Sequence, residues 1–316
     1  MRLLYIIILL LPIFLNAQGA YAPAAGEVGT TAIHKDSNAF VGWGEQVAVA
    51  RGYKDILNQN QGLVNFGSDL DATGVADGQA VSLGDSGVAT ITFEFPIIDG
   101  LGPDFAVFEN GFSATFLELA FVEVSSDGVN FFRFPAQFTL DANQIGSFGT
   151  SDPTHIHNLA GKYQVNYGTP FDLADIPDNL LLDKSNISHV RIVDVIGNIG
   201  NHQQYDSEGR AINDPYPTAF DQGGFDLDAV GVINSSMQTS LDTYKATNIL
   251  VYPNPTSDYL RVKAAGLKSV EIIDLSGKTV VFSSTKEIEL SNIPKGVYFA
   301  KINTDNGSFT KRIIKN

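Results

Sequence analysis

The chain has 316 residues, no cysteine and a formal net charge of −15. That length can bury one large core or two smaller ones without disulfides, and the missing cysteines exclude a thiol nucleophile and a Cys-ligated zinc. The charge is unevenly spread: residues 18–247 carry 9 Lys+Arg against 29 Asp+Glu, whereas residues 248–316 carry 10 against 6. The acidic part would repel nucleic acid and anionic membranes, and suits cations or neutral ligands.

In chain order, residues 1–17 read as a signal peptide: Arg2, the apolar run Leu3 to Leu15, then Asn16-Ala17, with cleavage expected near Ala17-Gln18. The apolar run is shorter than the roughly 20 residues that span a bilayer, and no later segment reads as transmembrane. Residues 18–233 read as an acidic β domain. Val88 to Phe95 alternates, with Ala89, Ile91, Phe93 and Phe95 on one face. Phe116 to Val124 is apolar on both faces, as inside a sandwich. It leads through Ser125-Ser126-Asp127-Gly128 into Val129 to Phe134, an Asp-Gly hairpin signal. His189 to Gly197 and Phe225 to Ile233 are further predicted strands, and Pro177 to Ser185 could form one short helical turn. Many short strands bounded by Gly, Asp and Pro predict a jelly-roll-like antiparallel β-sandwich. Residues 234–247 are polar and aperiodic and read as a linker. Residues 248–316 are again all strand, with turns at Ser276-Gly277 and Asn306-Gly307, and predict a small immunoglobulin-like β-sandwich.

The last segment contains VYPNPTSDYLRV (251–262), VEIIDLSGKTV (270–280), LSNIPKGVYFAKI (290–302) and KRIIK (311–315). In order and spacing these pieces resemble a type A C-terminal sorting domain of the type IX secretion system. Tyr252, Pro253, Asn254, Pro255, Gly277, Gly296, Tyr298 and Lys311 carry the resemblance. It implies the type IX machinery and a sortase-like peptidase as partners. The implied route leads through the periplasm to the outer cell surface or the medium.

In the acidic domain, GPDFAVFENGF (102–112) places Asp104 and Glu109 at the ends of an apolar strand. Five positions apart, they fall on opposite faces of a straight strand and cannot converge on one glycosidic bond. The same parity separates Glu118 from Glu123, and the Glu109-Asn110-Gly111 end is the better suited to a turn that holds a ligand or ion. Asp226 and Asp228 share a strand face. Either a calcium ion neutralises them, or one caps a turn while the other lies at the rim. Asp69, Asp71 and Thr73 open like a calcium loop, but Ala80 stands where an EF-hand needs glutamate, so an ordinary Asp- and Gly-rich surface loop is the competing reading. His155 and His157 have H-x-H spacing without a third zinc ligand. No Ser-centred elbow, H-E-x-x-H or phosphate-binding loop is present, so no catalytic residue is assigned. Most of the 21 Phe are assigned to the core.

The stretches GPDFAVFENGF, LAFVEVSSDGVNFFRF, NLAGKYQVNYGTPFDLADI and DPYPTAFDQGGFDLDAVGV together resemble a family of secreted bacterial cell-surface proteins of unestablished activity. The VSSDGVNF hairpin is also weakly similar to discoidin-like jelly rolls, which implies a ligand-binding module with a structural calcium. The expectation is a secreted or surface-displayed binding or adhesion protein, calcium-stabilised and directed at an extracellular glycan. The alternatives are a surface-layer structural protein and a polysaccharide hydrolase or lyase that takes carboxylates from different strands.

Overall fold

A computed structural model describes residues 20–140, 143–236, 249–264, 266–305 and 307–316. The predicted signal peptide and most of the predicted linker lie outside them. The chain divides into two compact units, Met1–Gln238 and Thr239–Asn316. Both are built of antiparallel strands, and the helical turns among the described residues are short 3-10 segments. No helix among them is long and apolar enough to cross a membrane.

The first unit is a β-sandwich. One sheet runs Ile33–His34, Tyr167–Phe171, Phe105–Glu109, Asp226–Val232, Gly42–Trp43, with Val81–Ser82 also paired to Asp226–Val232. The other runs Gln46–Ala50, Val88–Ile97, Ile187–Asp194, Ala120–Ser125, Phe132–Arg133. Side chains alternate across each strand, so every second residue meets the opposite sheet. Ala89, Ile91, Val122, Val124, Val190 and Ile192 from one sheet share a core with Phe105, Val107, Leu227 and Val230 from the other. The alternation expected for Val88 to Phe95 is present, and Ala120–Ser125 is buried on both faces. The Asp127-Gly128 hairpin forms, with Glu123 opposite Arg133. Gly128 takes φ +74°, and the Asp127 carboxylate accepts the Val129 and Asn130 N–H groups.

Two expectations differ in detail. Residues 177–185 are turns without helix, and the nearby 3-10 segment is Leu173–Asp175, whose Ala174 N–H is capped by Asp172. Asn234, placed at the start of the linker, belongs to the sandwich: its backbone N–H donates to the Asp104 carbonyl and its side-chain amide to the Asp104 carboxylate.

The strand Phe105–Glu109 is buried on both faces. Phe105 and Val107 enter the main core, whereas Ala106 and Phe108 sit with Ala229 under Phe40 and Trp43 on the outer side. Glu109 continues the row of Phe105 and Val107, so its carboxylate enters one end of the sandwich interior. That parity, set by the apolar pattern, creates the site described below.

The second unit packs a three-stranded sheet (Leu250–Tyr252, Tyr259–Lys263, Glu287–Glu289) on a four-stranded one (Thr279–Ser283, Leu267–Ile273, Gly296–Thr304, Gly307–Lys315). Leu260, Val262, Val270, Ile272, Ile288, Ala300, Ile302 and Ile313 fill the space between them. This is the small two-sheet sandwich expected from the sequence.

Candidate functional site

Three carboxylates meet at one end of the first unit. Glu109, Glu118 and Asp226 each offer an oxygen, and these oxygens all lie within 4.8 Å of one another. Glu109 ends its strand opposite Leu227. Its Oε2 accepts the Gly111 N–H at 2.7 Å, while Oε1 is buried without a hydrogen-bond partner. A Cβ on residue 111 would stand 2.5 Å from that Oε2, so a side chain there would push the Glu109 carboxylate aside. Glu118 lies on the irregular segment before Ala120–Ser125. Its backbone packs on Gly161, where φ is +82° and a Cβ would come within 1.8 Å of the Glu118 carbonyl. Asp226 opens the next strand, with Ser82 Oγ donating to Oδ1 and Gln222 Nε2 donating to Oδ2 at 2.6 Å.

The electrostatics of this cluster are one-sided. Burial holds Glu109 well above the usual carboxylate range, and the charges of Asp226 and Asp228 push it the same way, against the Gly111 N–H. Glu118 is raised by burial and then by Glu109, Asp226, Asp214 and Asp194. Asp194 and Asp214, deeper in the same end of the sandwich, are likewise raised by burial. Among the described residues none of the three clustered carboxylates forms an ion pair with Lys or Arg. Arg51 lowers Asp226 at a distance, but its guanidinium is committed to the carbonyls of Phe66, Gly67 and Ser82.

Above the carboxylates opens a pocket of about 320 Å³, with Glu118, Asp226 and Gln222 among its polar walls. Phe112, Phe116, Phe148 and Phe220 line it as well. Phe112 stacks on Phe116 with centroids 4.5 Å apart, and Phe148 stands 6.4 Å from Phe116 and 5.7 Å from Phe220. Phe112 and Phe148 are each 72% exposed, and Phe220 is 44% exposed. Exposed aromatics gathered round a polar concavity are the usual make-up of a ligand site.

The remaining candidate residues lie elsewhere. Asp228 diverges from Asp226, because the ladder shifts register between Leu227 and Ala229 and the alternation of faces breaks there. Its carboxylate accepts the N–H groups of Asp77 and Gly78 and ties down that loop. Asp69 and Asp71 belong to a 3-10 segment. Asp71 accepts from the backbone and hydroxyl of Ser68 in a capping box, and Asp69 accepts from Val49. His155 bonds Thr139 while His157 stacks on Tyr21, so the two rings take separate partners. Glu123 is held between Arg133 and Arg191.

Asp104, Asp99 and Asp172 form a second acidic group. There Asp104 is satisfied: Gly100 N–H and Asn234 Nδ2 donate to Oδ1, and Leu173 N–H donates to Oδ2. The sequence reading named Glu118 only among the acids of the hydrolase alternative and did not bring the four phenylalanines together; these come from three loops, with Phe112 and Phe116 on the same one.

In the second unit the motif residues serve the hairpin ends. Asn254, between two prolines that lack N–H groups, accepts the Ile314 N–H and donates to the Arg312 carbonyl, fixing YPNP to the last strand. Gly277 takes φ +85° in a turn closed by Asp274, which accepts from Ser276 and Lys278. Tyr298 donates to the Pro294 carbonyl, Gly296 pairs with Lys315, and Lys311 pairs with Ala300. Tyr252 lies on the edge of the three-stranded sheet, opposite Arg261.

No curated protein matches the chain in sequence. Among solved structures it is similar to a β-glucuronidase from Ruminococcus gnavus in complex with D-glucuronic acid, at 10% identity and a TM-score of 0.22, covering 86% of this chain and 46% of that one. It is also similar to the BSP domain of a biofilm associated protein, at 10% identity and a TM-score of 0.20, covering 90% of this chain and 53% of that one. The chain thus spans about half the length of these structures, and scores this low define no shared fold. Residues 250–316 match the family of secretion system C-terminal sorting domains. The second unit is therefore a type IX sorting domain, and the chain that carries it is a secreted or cell-surface protein.

Proposed function

We propose that the first unit is a carbohydrate-binding module, delivered to the cell surface or the medium by the sorting domain. The observation that carries this reading is the pocket, in which exposed Phe112, Phe148 and Phe220 surround a floor of carboxylates. The apolar face of a pyranose can stack on such rings while its hydroxyls donate to Glu118 and to the groups around it. The floor is acidic and lacks a basic partner, which disfavours uronates and sulfated sugars and favours neutral or amino sugars.

Hydrolysis is less well supported. It needs two carboxyl groups that reach the scissile bond, whereas Glu109 is 2% exposed and Asp226 is engaged by Ser82 and Gln222. That leaves Glu118 as the accessible acid.

A glycan array followed by titration calorimetry tests the reading. A neutral or amino glycan should bind, and Phe148→Ala should weaken it at least about tenfold. The melting temperature should barely move, since Phe148 is largely exposed. A wild-type chain that binds no glycan, or a variant of unchanged affinity, would overturn it. For export, a chain ending before residue 250 should accumulate inside the cell envelope. A sortase-like peptidase is the proposed processing partner, and the mature C-terminus, read by mass spectrometry, should fall before residue 250.

A further inference from the structure

We infer that Glu109, Glu118 and Asp226 hold one calcium ion at the floor of the pocket. An ion at 2.3–2.6 Å from its oxygen ligands keeps them within about 5 Å of each other. The three oxygens already meet that spacing, at 4.8 Å or less.

Proximity alone would not distinguish this group from other acidic clusters. The hydrogen-bond inventory does. A buried oxygen without a donor is rare in folded proteins and calls for a partner, and Glu109 Oε1 is such an oxygen. The second acidic group shows the opposite pattern, since donors occupy both oxygens of its buried member Asp104. A shared proton could relieve one repulsion, but it would leave a third carboxylate uncompensated in the same interior.

The donor set selects the metal. All the ligands are hard carboxylate oxygens, and no histidine joins the group, which disfavours zinc. Magnesium demands a tight octahedron at 2.0–2.1 Å, whereas calcium accepts six to eight oxygens in irregular arrangement. With one oxygen from each residue, three carboxylates leave at least three of those positions open, and Glu118 and Asp226 line the open pocket. Vacant positions would therefore face the phenylalanines, where water or a ligand hydroxyl completes the sphere. This last clause rests on the carbohydrate reading; the ion site itself does not. Ser82 and Gln222 act as positioning residues that turn Asp226 towards the ion.

The test uses the chain with its sorting domain still attached, with calcium chloride alone and no glycan, so its outcome is independent of the sugar. Calorimetry should find one ion per chain in the first unit, and saturating calcium should raise the melting temperature over that in chelator by about 5 °C. Glu118→Gln should abolish this response and melt higher than wild type in chelator at pH 8, because a repelling charge is gone. Glu109→Gln, which keeps an acceptor for the Gly111 N–H, should do the same and serves if the first variant fails to fold. Asp71→Asn should keep the calcium response. The proposal is overturned if wild type shows neither heat nor a shift. It is equally overturned if both glutamine variants respond like wild type, if Asp71→Asn removes the response, or if magnesium matches calcium.

Discussion

The two ends of the strand Phe105–Glu109 carry the same kind of group in different circumstances. Asp104, just before it, is fully buried and takes two backbone N–H groups and an asparagine amide, which tie together three loops. Glu109, at the other end, is nearly as buried but takes a single strong donor, keeps one oxygen without a partner, and faces two further carboxylates. Burial therefore does not separate Asp104 from Glu109; the count of donors does. Asp104 is complete within the fold, and Glu109 is complete only with something added.

The comparison can be broken at either end. The largest effect should come from Asp104→Ala, which leaves the Gly100 and Leu173 N–H groups and the Asn234 amide without an acceptor. Leaving buried donors unpaired costs about 1–3 kcal/mol each, so urea denaturation should show a loss of at least about 3 kcal/mol. A loss under about 1 kcal/mol would mean that Asp104 is no hub. At the other end the sign reverses. Glu118→Gln should stabilise the calcium-free chain at pH 8 by about 1 kcal/mol, the scale of one close like-charge contact. A destabilised variant would mean that the cluster is not strained by its charge.

The pH dependence sharpens the same contrast. A carboxyl whose pKa is higher folded than unfolded binds more protons in the native state between the two values. Stability then falls as pH rises through that window. Glu109, Glu118, Asp194 and Asp214 are raised by burial, Asp228 to about 6 and Asp85 to about 7. His157, lowered by burial, works the other way over part of the range, and the carboxyls held low, such as Asp206, have their effect below it. In chelator the first unit should thus be more stable near pH 5 than near pH 7.5. Calcium should flatten the slope by holding Glu109 and Glu118 ionised. Denaturation curves at the two pH values, with and without calcium, check this, and stability that rises with pH in chelator would contradict it. The smallest effect is at the 3-10 segment: Asp71→Ala removes the capping-box partner of Ser68 and should cost about 0.5 kcal/mol, with no change in calcium response.

Most of the strands could be read from the residues. Val88–Ile97 alternates because one face is wet. Ala120–Ser125 carries apolar residues on both faces because both are covered, and the Asp127-Gly128 hairpin follows from the turn chemistry. The parity argument that separates Asp104 from Glu109 also leads to the end of the strand that matters. It gives no hint of Glu118, which sits on an irregular segment and is placed by close backbone packing on Gly161, a contact 43 positions away. Parity also pairs Asp226 with Asp228, but a register shift between Leu227 and Ala229 turns Asp228 to another loop. Phe112, Phe148 and Phe220 read as core by type, and only the folded chain shows them lining a pocket. The second unit was legible for a different reason: its motif residues come in a fixed order and spacing, and turns such as the one at Gly277 rest on local residues, even though Asn254 bonds the last strand.

The most direct measurement is a crystal structure of the mature chain grown with calcium chloride. The account predicts a strong metal peak with Glu109, Glu118 and Asp226 oxygens at 2.3–2.6 Å and with its open side towards Phe112 and Phe148. A peak in the Asp69–Asp71 segment instead, or none at the pocket floor in saturating calcium, would contradict it.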